Sequence, residues 1–165
     1  GYWTTFIAQM AKSITALDIN TAVIEIAKQR MYNAKVEFLI EDLEQYQATT
    51  KFDALFGGFI CSHFLLQEFP TFIQNCLKHI ESNGQLVFID NKFVEGSSTP
   101  ISRTDESGNT YQIRSLKSGE QYEILKNFLS ESVCQKALAK LPVKVEWLEL
   151  EYYWVLKLYN GQVQS

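Results

Sequence analysis

Four short apolar runs, each closing on an acid or a glycine pair, set the strongest limit on what this chain can fold into. Residues 14–17 (ITAL) run to Asp18, residues 36–40 (VEFLI) to Glu41-Asp42, residues 52–56 (FDALF) to Gly57-Gly58, and residues 85–89 (QLVFI) to Asp90. Runs that are apolar almost throughout suit strands covered on both faces. Strand-like and helix-like stretches alternate along the first 90 residues, which implies a parallel sheet joined by right-handed crossovers.

The helical stretches carry their own signals. Residues 4–11 place Phe6, Ile7, Met10 and Ala11 at helical spacing, with Thr4 or Thr5 as a cap. Asn20 is the expected N-cap of a helix over 21–32, with Val23, Ile24, Ala27 and Met31 on one face. A longer helix is expected over 68–81, ended by Asn83-Gly84. Residues 95–107 read as a loop or hairpin and 109–116 as a short strand. Residues 119–141 read as a helical segment with Tyr122, Leu125, Phe128 and Leu129 on one face. Residues 143–150 and 152–159 are β-rich runs one residue apart, too close for a parallel crossover and therefore antiparallel neighbours.

Composition narrows function. With 165 residues and 46% hydrophobic content the chain can bury one full core. The net charge of −4 and the absence of a basic cluster argue against nucleic acid as a partner. No apolar run approaches the ~20 residues of a membrane helix. Cys61, Cys76 and Cys134 have neither disulfide nor metal spacing, so reduced thiols in a cytoplasmic protein are expected. Trp147 and Trp154 are core candidates, and His79, near a helix end, is expected at the surface against the helix dipole.

Ligands of open α/β sheets bind beyond the carboxyl ends of the strands, where Asp18, Asp42 and Asp90 fall. Asp18 also lies 17 residues after Gly1, close to the spacing between a nucleotide-binding glycine loop and its ribose-binding acid. The ordered set GYWT, ALDIN, EDL, FDAL-GGFICSH and NGQLVFID resembles the class I S-adenosylmethionine-dependent methyltransferases along essentially the whole chain. That resemblance implies a Rossmann-like, doubly wound, mostly parallel sheet with a C-terminal antiparallel strand pair. It implies S-adenosylmethionine as cofactor, with Gly1 as the last glycine of the loop and Tyr2, Trp3 and Thr4 as the helix entry beside it. Asp18 would hold the ribose hydroxyls, Ile19 would lie against adenine, Asp42 and Leu43 would meet the adenine edge, and Phe59 would line the sulfonium. The family's first strand and leading glycine have no counterpart, so residues 1–165 are expected to be an incomplete methyltransferase domain.

His63, in a Ser62-His63 pair, is the candidate general base; contact with substrate or cofactor and a structural role remain open. Arg103 and Arg114, with Tyr111, lie in the region that covers the substrate pocket in the family, where an arginine could clamp a carboxylate. The expected substrate is a small molecule methylated on oxygen, nitrogen or carbon, by a monomer or a homodimer. Two alternatives stand beside this. Tyr122 and Lys126 have the Y-x-x-x-K spacing of a nicotinamide-dependent short-chain reductase. A binding or scaffold protein that retains the fold is the other, consistent with the bare Gly57-Gly58 pair. A Cys61 thiol nucleophile lacks an orienting third group.

Overall fold

The computed structural model describes residues 1–161 and divides into two compact units, Gly1–Ala48 and Thr49–Ser165. The first unit contains α1 (Tyr2–Ile7), β1 (Ser13–Asp18), α2 (Thr21–Lys28) and β2 (Lys35–Ile40). β1 and β2 pair in parallel, in a register that sets Asp18 opposite Ile40. Asn20 caps α2 as expected: its side-chain oxygen accepts from the Ala22 and Val23 amides at 2.9 and 3.4 Å. Ile24 and Ala27 are the buried residues of α2, and α2 packs on β1 and β2. The first helix departs from expectation. It begins at Tyr2 with Gly1 as N-cap, and Thr5 turns its hydroxyl back onto the Gly1 carbonyl at 3.0 Å instead of capping.

The second unit is built on a four-stranded sheet in the order β3-β4-β9-β8, comprising β3 (Phe52–Gly58), β4 (Ile80–Asn91), β8 (Val143–Glu149) and β9 (Tyr153–Asn160). A separate antiparallel sheet joins β5 (Arg103–Thr104), β6 (Thr110–Ser115) and β7 (Gln121–Leu125). Parallel pairing is confined to β1–β2 and β3–β4, so the α/β fold is mixed rather than mostly parallel among the described residues. The antiparallel β8–β9 pair stands where the spacing placed it.

The core of this unit is aromatic and aliphatic. α3 (Phe69–Lys78) buries Phe69, Phe72, Ile73 and Cys76. Phe72 stacks on Phe64 at 4.1 Å and meets Phe88 of β4 at 5.7 Å. Trp154 of β9 is wholly buried, as its core assignment expected, and stacks on Trp147 of β8 at 4.9 Å, which is only half-buried. α4 (Glu131–Leu138) starts at Ser130, whose hydroxyl accepts from the Val133 amide, and packs Cys134 and Leu138 inward against β8 and α3.

Three expectations fail for identifiable reasons. The expected helix over 119–141 survives only as α4. Residues 121–125 alternate with β-rich Tyr122 and Ile124, pair with β6, and follow a turn in which Gly119 takes φ +90°. The helix expected to end at Asn83-Gly84 stops at Lys78. Gly84 instead lies in an irregular stretch of β4, where an added Cβ would sit 2.9 Å from the Asp53 carbonyl oxygen. His79 is buried rather than exposed. Burial, followed by the neighbouring Lys78 charge, pulls its pKa below the usual imidazole value, opposite to the shift that a helix C-terminus would give.

Candidate active site

In the first unit, parallel strands deliver both acids to the same end of the sheet. Asp18 closes β1, and Asp42 follows β2 by two residues. Each carboxylate spends one oxygen on its own backbone: Asp18 Oδ1 accepts from the Asn20 amide at 2.8 Å, and Asp42 Oδ1 from the Glu44 amide at 2.9 Å. These Asx turns fix the carboxylates and leave the second oxygen of each able to accept from a ligand. Ile19, beside Asp18, exposes 73% of its surface, an apolar face that a planar ring could cover. Leu43 is half-buried in the turn after β2.

Gly1 is held close to α2. A Cβ there would lie 2.8 Å from both the Ala27 Cβ and the Tyr32 hydroxyl oxygen, so only glycine fits. Tyr2 is exposed and meets Trp3 edge-on at 5.5 Å, while Trp3 and Thr4 are half-buried.

In the second unit, the carboxyl ends of β3 and β4 carry a strained residue and a buried charge. Phe59, immediately after β3, has φ +59°, a conformation that bulky side chains rarely hold without a reason. Its amide donates to the Ile89 carbonyl at 2.8 Å, and its ring meets Tyr153 at 5.9 Å. Gly57, two residues earlier, is bare because a Cβ would come within 2.6 Å of the Phe88 ring. That packing gives Gly57 a structural reason of its own.

Asp90 is completely buried. Its Oδ2 accepts from the Ser62 amide at 2.9 Å, and its Oδ1 lies 3.2 Å from Lys126 Nζ. Lys126 Nζ also donates to Ser62 Oγ at 2.6 Å and Asn91 Oδ1 at 3.1 Å, so this buried ammonium is fully partnered. A second buried cluster continues the tie. Asn127 Nδ2 donates to the Phe64 carbonyl and to Asn109 Oδ1, and Asn109 Oδ1 accepts from the Leu66 amide. Together they fasten the 3₁₀ turn Cys61–His63 and the loop after it to the base of the β6–β7 hairpin.

His63 is exposed, and its Nδ1 donates to the Leu125 carbonyl at 3.1 Å. That tautomer places the lone pair on Nε2. Desolvation first, then the Lys126 charge, lowers its pKa from the ordinary imidazole value, so the neutral form prevails at neutral pH.

A cavity of about 430 Å³ opens past Asn91, the last residue of β4, with Lys126, Arg114, Tyr153 and Phe128 among its walls. Arg114 is among the walls of this cavity and Arg103 is not. The Arg103 guanidinium forms a forked pair with Glu123 at 2.7–3.1 Å and lies over the Tyr111 ring. His63 is not a wall residue.

Sequence reasoning missed Lys126 as the partner of Asp90. It also missed Asn109, Gln112 and Asn127, all buried polar residues, and named Ser62 only as the neighbour of His63. An Asn-Thr and a Lys-Asn dipeptide bracketing a hairpin were the available signal.

The structure also removes two alternatives. Tyr122 is half-exposed on strand β7, not on a helix, and Lys126 four residues on is buried in its ion pair. Four extended residues span roughly 13 Å, too far for the shared proton transfer of a Y-x-x-x-K pair. Burial pushes the Cys61 thiol well above its usual range and those of Cys76 and Cys134 to about 12, so none is a thiolate near neutrality. Among the described residues no group of acids, histidines and cysteines could hold a metal ion, and no helix is long and apolar enough to cross a membrane.

Residues 1–84 match the family model described as a methyltransferase domain. No curated protein matches the chain. Among solved structures, DhpI in its SAH complex is 23% identical, with a TM-score of 0.79, 98% of this chain covered and 72% of that one. The PH0226 protein from Pyrococcus horikoshii OT3 is 16% identical, with a TM-score of 0.74 and 97% and 78% covered. Magnesium protoporphyrin IX methyltransferase from Synechocystis PCC 6803, with bound SAM, is 15% identical, with a TM-score of 0.62 and 97% and 65% covered. At these identities the likeness carries the fold, and the family rests on the match over residues 1–84 together with the strand-end acids. The chain belongs to the methyltransferase domain family.

Proposed function

We propose that residues 1–165 act as one methyltransferase domain of the doubly wound, Rossmann-like class, transferring a methyl group from S-adenosylmethionine to a small-molecule acceptor. The observation that carries this reading is the polar cavity beyond β4, beside a residue held at positive φ at the end of β3, in a chain of this family. Ligands of α/β folds bind at that end of the strands.

The cofactor supplies a methyl group already activated on a sulfonium, so the protein's task is to position and desolvate. Asp18 and Asp42 are oriented by their Asx turns to accept from ribose hydroxyls and the adenine amino group. Ile19 offers its exposed face to adenine, and Leu43 flanks it. Gly1, Tyr2, Trp3 and Thr4 form the close-packed backbone turn beside the methionine portion. His63, neutral and with Nε2 free to accept, removes a proton where the acceptor carries one. A homodimer or a monomer would serve, and the absence of a basic cluster disfavours nucleic acid as substrate.

The test is a thermal-shift titration with S-adenosylhomocysteine and with NADH. At about 100 times its dissociation constant a ligand adds roughly 2.7 kcal/mol. Stabilisation by S-adenosylhomocysteine that Asp18→Ala abolishes is the expected result. Stabilisation by NADH alone would overturn the assignment.

A further inference from the structure

We infer that the cavity beyond β4 takes an acceptor bearing an anionic oxygen group, a carboxylate or a phosphate-type group, and that Arg114 is the residue that binds it. The inference rests on the methyltransferase reading only in naming the ligand an acceptor; the anion site itself stands on the cavity.

The walls contain three cations, Lys92, Arg114 and Lys126, and no carboxylate. Two of the three are already neutralised, Lys126 by Asp90 at 3.2 Å and Lys92 by Glu149. Arg114 is different. Its Nη1 donates to Thr99 Oγ1 at 2.8 Å and its Nη2 to Gln112 Oε1 at 2.9 Å, both uncharged acceptors. Among the described residues no acid pairs with it. The cavity therefore keeps one uncompensated positive charge.

That charge is held in place. Gln112 is buried, and its Nε2 is committed to the Thr99 carbonyl, which obliges Oε1 to face the guanidinium. Two of the five guanidinium N–H groups are used, leaving three in a planar fork suited to two oxygens of one anion. The Thr99 hydroxyl accepts from Arg114, so its own proton is free to donate to the same ligand. A fixed fork binds more tightly than a mobile one because less freedom is lost on contact. A volume of about 430 Å³ suits a small acid.

Calorimetric titration of the protein with inorganic phosphate and with acetate, at constant ionic strength set by chloride, tests this, with and without saturating S-adenosylhomocysteine. Arg114→Gln removes the charge at an exposed position, and its melting temperature checks that the variant is folded. Lys117→Gln removes an equal charge at the exposed hairpin tip and is the control. The expected result is binding of at least one anion, weakened roughly tenfold or more by Arg114→Gln and unaltered by Lys117→Gln. A preference for phosphate or for acetate identifies the group. No anion binding by the wild type, or equal losses in the two variants, would overturn the inference. Absence of S-adenosylhomocysteine binding would count against the methyltransferase reading alone, since the phosphate titration reads the cavity without it.

Discussion

Replacing Lys126 with methionine tests the buried charge at the base of the cavity. The ammonium lies 2.6 Å from Ser62 Oγ, 3.1 Å from Asn91 Oδ1 and 3.2 Å from Asp90 Oδ1, and Asp90 is 0% exposed. Methionine keeps the stem's packing and removes the charge, so Asp90 is left with its amide donors from Ser62 and Asn91 but no counter-ion. Breaking one side of a buried pair costs about 3–5 kcal/mol. For a domain of this size that is roughly 6–20 °C in melting temperature, at about 2–4 °C per kcal/mol. Urea denaturation followed by tryptophan fluorescence measures it, because Trp147 and Trp154 are both in the second unit. Adding Asp90→Asn to Lys126→Met removes the orphaned charge while keeping an oxygen for the Ser62 amide. The double variant should recover about 1–2 kcal/mol over the single one. A loss below about 1 kcal/mol for Lys126→Met, or a double variant weaker than the single one, would refute the reasoning.

Gly57→Ala sets a methyl 2.6 Å from the Phe88 ring and should destabilise by about 1–3 kcal/mol in the same denaturation assay; an unchanged midpoint would remove the packing explanation of the glycine. His63 and His79 both have pKa values lowered by burial, so the unfolded chain takes up protons first as pH falls below the free-imidazole value of about 6.5. Stability should therefore decline as pH falls below about 6.5, and a urea midpoint that stays flat as pH is lowered from about 7 would contradict it. The three thiols should resist a thiol-specific reagent at mildly alkaline pH in the native protein and all react in denaturant; rapid native labelling would show that Cys61, Cys76 or Cys134 is less enclosed than the structure has it.

The strands were legible because their signal is local. Continuous apolar runs closing on Asp18, Asp42 and Asp90 mark the parallel strands of each unit. Asn20 announced its helix through its side chain alone. Residues 119–130 were misread because Tyr122, Leu125 and Leu129 fit helical spacing as well as an irregular strand exit, and only pairing with β6 decides between them. Gly84 was taken for a helix stop because a tight approach to the Asp53 carbonyl has no sequence signature. The site divided along the same line. Arg114 follows from its place in the chain, but the pairing of Lys126 with Asp90 spans 36 residues and depends on how the hairpin folds back. Arg103 was indistinguishable from Arg114 by sequence, and only the carboxylate of Glu123 separates them.

The β6–β7 hairpin changes character along its length. At its root Asn109, Gln112, Lys126 and Asn127 are buried, with Asn127 bonded to Asn109 and to the Thr110 amide, whereas every residue from 113 to 123 is exposed. At the tip, the Leu116 amide bonds the Glu120 carbonyl, and nothing lies within 4 Å of where a Gly119 Cβ would be. The exposed tip at residues 116–120, beyond Arg114, is thus free to vary in sequence and length while the root keeps the cavity wall where it is. A tag spliced between Lys117 and Ser118 would meet only solvent and add little loop-closure cost. The same division lets substitutions at the tip leave Arg114 and the cavity beyond β4 undisturbed.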